Sequence, residues 1–538
     1  MKCFWIKRSY WLASFLGSLA CLGVADNAQA FCGFYVAGGE SSLFNDATQV
    51  VLMRDGTRTV LSMQNNYRGP LSDFAMVTPV PQVLQQENVK TLSPDVFKKI
   101  DTLTAPRLVE YWEKDPCEPE YEMDDTMTGT GTAVAASTAG GGPEAVVVEA
   151  EFEVGEYEIV VLSTNDSSSL ETWLVDNQYS IPSGADTHFE PYVESGMYFF
   201  VAKVNAEKVT MVDGQGVLSP LRFHFDSNEF SLPIKLGLIN SNGSQDLIAY
   251  ILGKNQRYEV ANRKSLTIPT NIEVIDDVRN NFGEYYRILF SEAIAQNPGA
   301  AVTEYSWDAG SCDPCPGPIL DQEDYLTFGA DVLNSDDGMW ASWVVTRLHV
   351  RYDSNTIGDD LVFRVASPIA GGRERYSSPG VLETGSSSSS VNNFQGRYII
   401  RHPWEGPIEC DEPHSKSRWG GPNGSDSVGA QAALSPNSGG ASAPATDTGG
   451  GAANNTGTGT SPQSFPQLPS DKLKDLVYDE IPELEVVPTA VRPATGTTSK
   501  EGCACSTHDA AAGTGCLLLS LGMFYYGIHR RRRSFNRR

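Results

Sequence analysis

Runs in which apolar and polar positions alternate predict strands at several points of the chain. Gln49–Met53 and Thr57–Met63 are rich in β-forming residues, and Arg54-Asp55-Gly56 between them carries the Asp-Gly signal of a hairpin turn. The same kind of pattern predicts three further strands, with a polar turn between the last two: Glu156–Leu162, Trp343–Val350 and Leu361–Val365.

Apolar residues at helical spacing predict a smaller number of helices. Ser93 and Pro94 supply an N-cap and a first-turn proline, and apolar residues follow one turn apart. Further helices are predicted from Pro106 through Tyr111, at Ser168–Asn177 and at Asn281–Gln296. We therefore expect an α+β, strand-dominated globular ectodomain with interspersed helices, without a regular βαβ order.

The N-terminal 30 residues have the pattern of a secretory signal peptide. Lys2, Lys7 and Arg8 precede an apolar stretch, and Ala28-Gln29-Ala30 supplies the small-x-small pattern that signal peptidases accept. The pattern predicts cleavage between Ala30 and Phe31. An uncleaved N-terminal anchor is the alternative.

The C-terminal end predicts a transmembrane helix. Residues 510–528 form a run of 19 residues without charge, and an arginine cluster follows at Arg530–Arg533. A run of this length spans about 28 Å as a helix, and adjacent arginines stay on the cytoplasmic side. The C-terminus is thus expected in the cytoplasm initially and the preceding chain outside it. A buried core helix is the alternative.

Changes in composition divide the exported part. Residues 124–142 are rich in Gly, Thr and Ala, which predicts a disordered insertion loop, and residues 413–500 predict a low-complexity linker that acts as a stalk. The remaining ranges, 31–123 and 143–412, are expected to form one or two globular domains. Within the linker, Leu473–Val487 mixes acidic and apolar residues and is either a solvated segment or a docking segment.

The charge balance argues against nucleic acid as a partner. The formal net charge is −27 over 538 residues, although both termini are locally basic. Such an acidic surface repels phosphate backbones. The expected partners are a membrane, through the C-terminal segment, the export and sorting machinery, and an unknown envelope or extracellular partner.

Five of the ten cysteines remain in the exported domain once those of the signal and the anchor are set apart. Disulfides are the default in an oxidising compartment, so these five are candidates for structural disulfides, with the pairing left open: Cys32, Cys117, Cys312, Cys315 and Cys410. The Cys312-Asp313-Pro314-Cys315 spacing also fits a redox motif, but the prolines after it disfavour the helix that such motifs usually start. A local structural disulfide is the favoured interpretation.

No catalytic, cofactor or metal constellation is evident in the sequence. The Cys312–Cys315 pair has no second ligand pair for zinc, and the run from Asp353 departs from a calcium loop at Ile357 and Arg364. Among the histidines, His402 in Arg401-His402-Pro403-Trp404 is the first candidate for mutation, with a structural role as the alternative.

The exported part resembles a bacterial family known as domain of unknown function 2330. The matching segments span most of Phe31–Cys410: Phe31-Cys32-Gly33-Phe34, Asn66-Tyr67-Arg68-Gly69-Pro70, Phe74-Ala75-Met76-Val77-Thr78-Pro79-Val80-Pro81, Leu103-Thr104-Ala105-Pro106-Arg107-Leu108, Leu170-Glu171-Thr172-Trp173-Leu174, Thr346-Arg347-Leu348-His349 and Arg401-His402-Pro403-Trp404. The resemblance implies an exported protein and no established activity.

The C-terminal 37 residues resemble the myxobacterial C-terminal sorting domain. Gly502-Cys503-Ala504-Cys505, a small-residue-rich span and terminal arginines occur in that order. The resemblance implies processing and sorting to the outer membrane or cell surface, with Cys503 or Cys505 as the lipid-modified position.

The leading hypothesis is an exported, membrane-anchored or surface-sorted envelope protein that serves as an interaction or structural module. The alternative is a secreted hydrolase or thiol oxidoreductase with an unfamiliar site, around Cys312, Cys315 or His402.

Overall fold

The computed structural model describes most of the chain between residues 34 and 492. The described ranges are 34–36, 44–68, 75–117, 146–177, 179, 184–212, 215–239, 244–333, 342–373, 376–378, 381–411, 413, 419–420, 430–432 and 472–492. All of them belong to the first of two units into which the chain divides, Met1–Pro493.

Helices are few and mostly short. The α-helices are α1 (Pro94–Thr104), α2 (Ser167–Asp176), α3 (Asp186–Glu194), α4 (Phe282–Gln296) and α5 (Gln322–Tyr325), the last continuing into a π-helical turn at Leu326–Ala330. Short 3₁₀-helical segments are at Gln86–Asn88, Ala206–Lys208, Lys235–Leu238, Asp276–Asn281, Leu473–Asp475 and Pro482–Leu484.

Strands dominate the described residues. The first fourteen are β1 (Phe34–Val36), β2 (Phe44–Asp55), β3 (Arg58–Arg68), β4 (Ala75–Val80), β5 (Val89–Thr91), β6 (Arg107–Glu113), β7 (Val147–Val154), β8 (Tyr157–Ser163), β9 (Tyr198–Val204), β10 (Thr210–Val212), β11 (Gln215–Val217), β12 (Leu221–Asp226), β13 (Ser231–Leu232) and β14 (Gln245–Lys254).

The remaining strands lie in the C-terminal half. They are β15 (Arg257–Val260), β16 (Ser265–Thr267), β17 (Ile272–Glu273), β18 (Ala301–Asp308), β19 (Trp343–Tyr352), β20 (Leu361–Ala366), β21 (Ile369–Gly371), β22 (Tyr376–Ser378), β23 (Val381–Leu382), β24 (Ser387–Ser388), β25 (Asn393–Gln395), β26 (Arg397–His402), β27 (Trp419–Gly420) and β28 (Ala430–Ala432). The expectation of a strand-rich globular domain with a few helices is confirmed.

An eleven-stranded sheet forms the centre of the fold. Its order is β24-β21-β25-β18-β19-β14-β2-β3-β12-β5, with β16 added on β18. Strands that precede residues 124–142 in the sequence and strands that follow them therefore belong to the same sheet. Val50 and Leu52 of β2 pack into one core and Val51 and Met53 into another, because successive side chains of a strand point to opposite faces.

The predicted hairpin and the first predicted helix are confirmed. β2 and β3 pair antiparallel down to Asp55 opposite Arg58, and Gly56 in the turn has a φ of 57°, a conformation that glycine adopts without steric cost. The Ser93 side chain caps α1 by accepting a hydrogen bond from the backbone N–H of Asp95 at 3.3 Å.

The helix expected from Pro106 is wrong, because this stretch is strand β6. β6 pairs in parallel with β26, from Arg397 opposite Arg107 to His402 opposite Trp112. Leu108 and Val109 are both buried, in different clusters on the two faces of this sheet. A strand buried on both faces lacks the alternation that distinguishes it from a helix in sequence.

The strands expected around residues 343–365 exist but do not pair with each other. β19 lies between β14 and β18 in the central sheet, whereas β20 pairs with β13 and β15 in a separate three-stranded sheet. The sequence locates these strands correctly and gives no information on their neighbours.

Residues 472–492, expected within the low-complexity linker, pack onto the folded domain. Leu476 and Ile481 are fully buried in the cluster that α4 contributes to, and Val477 forms an antiparallel bridge with Val274 beside β17. We name 472–492 the clasp segment. Its apolar residues are buried against the domain, so it corresponds to the docking alternative and differs from a solvated linker.

The predicted signal peptide, insertion loop and C-terminal span lie outside the described residues, and so does most of the predicted linker. Within the described part of the chain, the structure has no helix with the length and apolar character needed to cross a membrane.

Candidate functional site

His402 lies at the end of β26, where the parallel strand β6 also ends. Its Nε2 is 2.7 Å from Glu110 Oε2, and its ring stacks on Trp112 with ring centroids 4.6 Å apart. Arg279, from the 3₁₀ turn before α4, donates from Nε to both Glu110 oxygens at 2.9 Å. We name Glu110, Trp112, Arg279 and His402 the His402 cluster.

The His402 cluster brings together an acid, a base and a cation, all of them half-buried. Arg279 Nη2 also lies 3.2 Å from His402 Nε2, but an imidazole Nε2–H that donates to Glu110 cannot accept from Arg279 at the same time. The shorter distance assigns the proton on Nε2 to the Glu110 contact. The imidazole is thereby oriented by a carboxylate, an arrangement used both in catalysis and in structural ion pairs.

A second group of ionisable residues is fully inside the fold, between α1, α4 and the central sheet. Arg347 of β19 pairs with Asp101 of α1 and donates from Nε to Glu304 Oε2 of β18 at 2.5 Å. Tyr250 donates its hydroxyl to Asp101 at 2.8 Å. Both carboxylates are fully buried, so the guanidinium supplies the positive charge that each of them needs.

His349 extends this group towards the surface. Its Nδ1 is 2.7 Å from Glu304 Oε1, its Nε2 is at ion-pair distance, 3.3 Å, from Asp246 Oδ1, and its ring stacks on Phe290. Arg351 closes the series with two 2.7 Å hydrogen bonds to Asp246. We name the set the buried network: Asp101, Asp246, Glu304, Arg347, His349 and Arg351.

The electrostatics of the buried network favour its charged forms. Burial disfavours charge on His349, but Glu304 and Asp246 outweigh it and raise the pKa of the imidazole. Burial likewise acts against the charged form of Glu304, yet His349 and Arg347 lower its pKa to about 2. The network is therefore a set of mutually neutralised charges.

Sequence reasoning did not identify the buried network as a unit. Its signal was the alternation Arg347, His349, Arg351 along β19, which places three cationic groups on one face of a strand. The acidic partners come from β14, β18 and α1, and no spacing in the sequence connects them.

Four of the five disulfide candidates are paired. Cys117, after β6, bonds to Cys410, after β26, and Cys312 bonds to Cys315 within one loop. The fifth candidate, Cys32, lies outside the described residues, as do Ala30, Phe31, Cys503 and Cys505. The structure thus contains one local bond and one bond between distant parts of the chain, two of the pairings that the sequence left open.

The Cys312–Cys315 segment, named the CxxC loop, is held by side chains from other strands. Arg107 donates from Nη1 to the carbonyl oxygen of Pro314 at 2.7 Å, and Gln395 donates to that of Asp313 at 2.6 Å. Arg373 pairs with the Asp313 carboxylate. Cys315 is exposed, whereas Cys312 packs partly against the core.

An open cavity of about 360 Å³ lies elsewhere, next to the β2–β3 turn. Arg54, Lys254, Phe230 and Tyr258 are among its lining residues. The cations are already engaged: Lys254 pairs with Asp55 at 2.7 Å, and Arg54 lies over the Phe230 ring and donates to main-chain carbonyl oxygens. The cavity therefore offers a ligand little unpaired charge.

Metal ligands do not converge within the described residues, where no group of three His, Cys, Asp or Glu side chains could hold an ion. Asp353, the start of the calcium-like run, instead accepts hydrogen bonds from the backbone N–H groups of Asn355 and Thr356 at 2.9 Å. The Asp353 carboxylate thus stabilises a local turn of the backbone, a position at which Asp is common.

Comparison with known proteins gives a family and no activity. Residues 26–364 match the family described as "Uncharacterized protein conserved in bacteria (DUF2330)". No curated protein matches the chain. Among solved structures, the crystal structure of baculovirus P35 aligns over 60% of this chain and 98% of its own, at 9% identity and a TM-score of 0.24. A similarity that weak carries no argument about fold or function.

Proposed function

The chain belongs to this family of uncharacterized bacterial proteins, and we propose that it is an exported envelope protein that acts as an interaction or structural module. In this proposal the domain formed by residues 31–412 and the clasp segment is held at the outer membrane or cell surface by the segment after residue 501. The signal and sorting patterns of the two termini support the location.

The observation that carries the proposal is the disulfide between Cys117 and Cys410, which are 293 residues apart. Such bonds form and persist outside the reducing cytoplasm. This bond links the segments that follow two neighbouring parallel strands, β6 and β26. It therefore holds together the strand ends that carry Glu110 and His402. A domain braced in this way suits a protein that must keep its shape outside the cell.

The buried network supports a binding or structural role over hydrolysis. Its acids and bases contact each other at ion-pair distances inside the core. The His402 cluster likewise joins its imidazole to Glu110 and its carboxylate to Arg279. Groups paired in this way hold the fold, whereas a hydrolytic site needs a base directed at a nucleophile or a water.

The proposal is tested by removing residues 502–538 from the full-length protein in its bacterial host. We expect the truncated chain in the medium or the soluble envelope fraction, and the intact chain with membranes. Cys503→Ser and Cys505→Ser, alone and together, separate a lipid contribution from that of the span. A truncated chain that still sediments with membranes would contradict the proposal.

Thiol alkylation before and after reduction tests the compartment independently. Protein taken from cells in the presence of an alkylating agent should show Cys117 and Cys410 protected until a reductant is added. Free thiols at both positions in freshly isolated protein would show that the domain folds in a reducing compartment.

A further inference from the structure

The CxxC loop has a cation packed against it that the rest of the fold leaves without a carboxylate partner. Arg107 is fully buried; its Nη1 donates to the carbonyl oxygen of Pro314 at 2.7 Å and its Nη2 to that of Leu103 at 2.6 Å, and the neutral Tyr305 side chain lies against the guanidinium. Among the residues that the structure describes, no carboxylate is within ion-pair distance of it. A buried guanidinium normally has such a partner, because burial without one is costly.

A second cation reinforces this charge. Arg397 lies directly opposite Arg107 in the parallel β6–β26 register and is 4% exposed. Burial, followed by the charges of Arg107 and Arg401, lowers the pKa of Arg397 to about 10. Arg397 stacks over the Tyr111 ring. Arg107, which contacts the CxxC loop, thus has a second buried arginine beside it on the adjacent strand.

The loop is positioned by hydrogen bonds that do not involve sulfur. Arg107 and Gln395 hold the carbonyl groups of Pro314 and Asp313, and Arg373 neutralises the Asp313 carboxylate. These contacts remain available when the disulfide is reduced. The disulfide itself closes a very short loop and adds little entropic stabilisation, because the stabilisation from a crosslink increases with the length of the loop that it closes.

We propose that the Cys312–Cys315 disulfide is redox-active and exchanges with protein dithiols outside the cytoplasm. Cys315 is the point of attack because its side chain is exposed, and Cys312 is the leaving group because it lies on the core side of the loop. Arg107 is a positioning residue whose charge stabilises the thiolate that leaves. A thiolate near a guanidinium has a lowered pKa and is a better leaving group.

The exchange balances with a partner dithiol as reductant. A partner thiolate attacks Sγ of Cys315 and forms a mixed disulfide, and the Cys312–Cys315 bond breaks with Cys312 leaving as a thiolate. The partner's second thiolate attacks its own sulfur in the mixed disulfide and releases Cys315. The partner becomes a disulfide, two electrons and two protons pass to this chain, and a protein or small-molecule disulfide reoxidises it by the reverse steps.

The molecule contains its own reference in the Cys117–Cys410 disulfide. Full-length protein in detergent is equilibrated with dithiothreitol buffers of graded redox ratio and alkylated, and both cysteine pairs are quantified by mass spectrometry. We expect Cys312–Cys315 to be half reduced at a ratio of reduced to oxidised dithiothreitol at least tenfold lower than Cys117–Cys410. Reduction of both pairs at the same ratio would overturn the proposal.

Variants test the role of Arg107. Arg107→Gln should slow reduction by a peptide dithiol at least tenfold, Arg107→Lys should recover part of the rate, and Arg287→Gln, at an exposed arginine of α4, should leave it unchanged. If Arg107→Gln does not fold, the pH dependence of alkylation in the reduced wild-type protein tests the proposal instead. A Cys312 or Cys315 thiol that titrates clearly below about pH 8.5, the value of an ordinary cysteine, supports the proposal, and one at or above that value overturns it.

Discussion

Val477 forms an antiparallel bridge with Val274, although a low-complexity stretch of the chain separates the clasp segment from the rest of the fold. On either side of this bridge, Leu476 and Ile481 are fully buried, and Gln296 at the end of α4 donates to the carbonyl oxygen of Leu484 at 2.7 Å. The clasp segment therefore completes the core around α4.

Truncating a buried residue of the clasp segment should destabilise the whole domain. Leu476→Ala removes a fully buried side chain and should lower the free energy of unfolding by about 2–5 kcal/mol. Val491→Ala is the matched control, because that side chain is 87% exposed. Equal melting temperatures for the two variants in thermal denaturation would show that the clasp segment does not contribute to the core.

The long-range disulfide should contribute more to stability than the local one. Replacing Cys117 and Cys410 by serine should lower the free energy of unfolding by on the order of 4 kcal/mol, since the bond closes a very long loop. Replacing Cys312 and Cys315 should cost clearly less. Urea denaturation of both double variants measures the difference, and the reverse order would contradict the assignment.

The His349–Glu304 pair predicts a stability maximum in mildly acidic solution. Because folding raises the pKa of His349, its contribution is complete below about pH 6.5, the unfolded value, and is lost as pH rises through the raised folded pKa. Folding lowers the pKa of Glu304 to about 2, so its contribution is present above about pH 4.3 and is lost as pH falls towards 2. Urea denaturation from pH 3 to 9 measures this profile.

His349→Gln tests the source of the alkaline decline. The variant should be less stable at pH 5.5 by about 3 kcal/mol, because Glu304 loses a buried partner, and its stability should depend less on pH above 6. His188→Gln on α3, away from the buried network, is the control. An unchanged alkaline decline in His349→Gln would assign that decline to another group.

The contact between Glu110 and His402 should be energetically coupled. Since both side chains are about one-fifth exposed, solvent screens the interaction, and a double-mutant cycle with Glu110→Gln and His402→Gln should give a coupling energy of about 0.5–1 kcal/mol. Chemical denaturation of the four proteins measures it. Coupling near zero would mean that the two groups are positioned independently by their strands.

Local signals in the sequence predicted local structure well. The Asp-Gly turn at Asp55 and the Ser93 cap determine their elements through contacts between near neighbours, and both elements are where they were expected. The same holds for α2 and α4, whose apolar faces repeat within a few residues. Such features need no knowledge of the tertiary fold.

The sites could not be assembled from the sequence, because their members meet only through strand pairing. Arg107 faces Arg397 because β6 and β26 are parallel neighbours, and β6 itself was expected to be helical. His402 was selected as a candidate, but its partner Glu110 is on β6, the strand that was expected to be helical. Its other neighbour, Arg279, is in a turn before α4. The clasp segment was assigned to the linker because it is short and flanked by low-complexity sequence, and the strand and helix that it packs against are distant in the chain.

The bond between Cys117 and Cys410 also determines what a protease can remove. A single cut of the backbone anywhere between the two cysteines yields fragments that stay covalently joined. The N-terminal fragment would still supply β2 and β3 to the middle of the central sheet. Such a nicked molecule would keep its apparent mass in a non-reducing gel and separate into two bands only after reduction, so a cut between the two cysteines would not by itself release the N-terminal fragment.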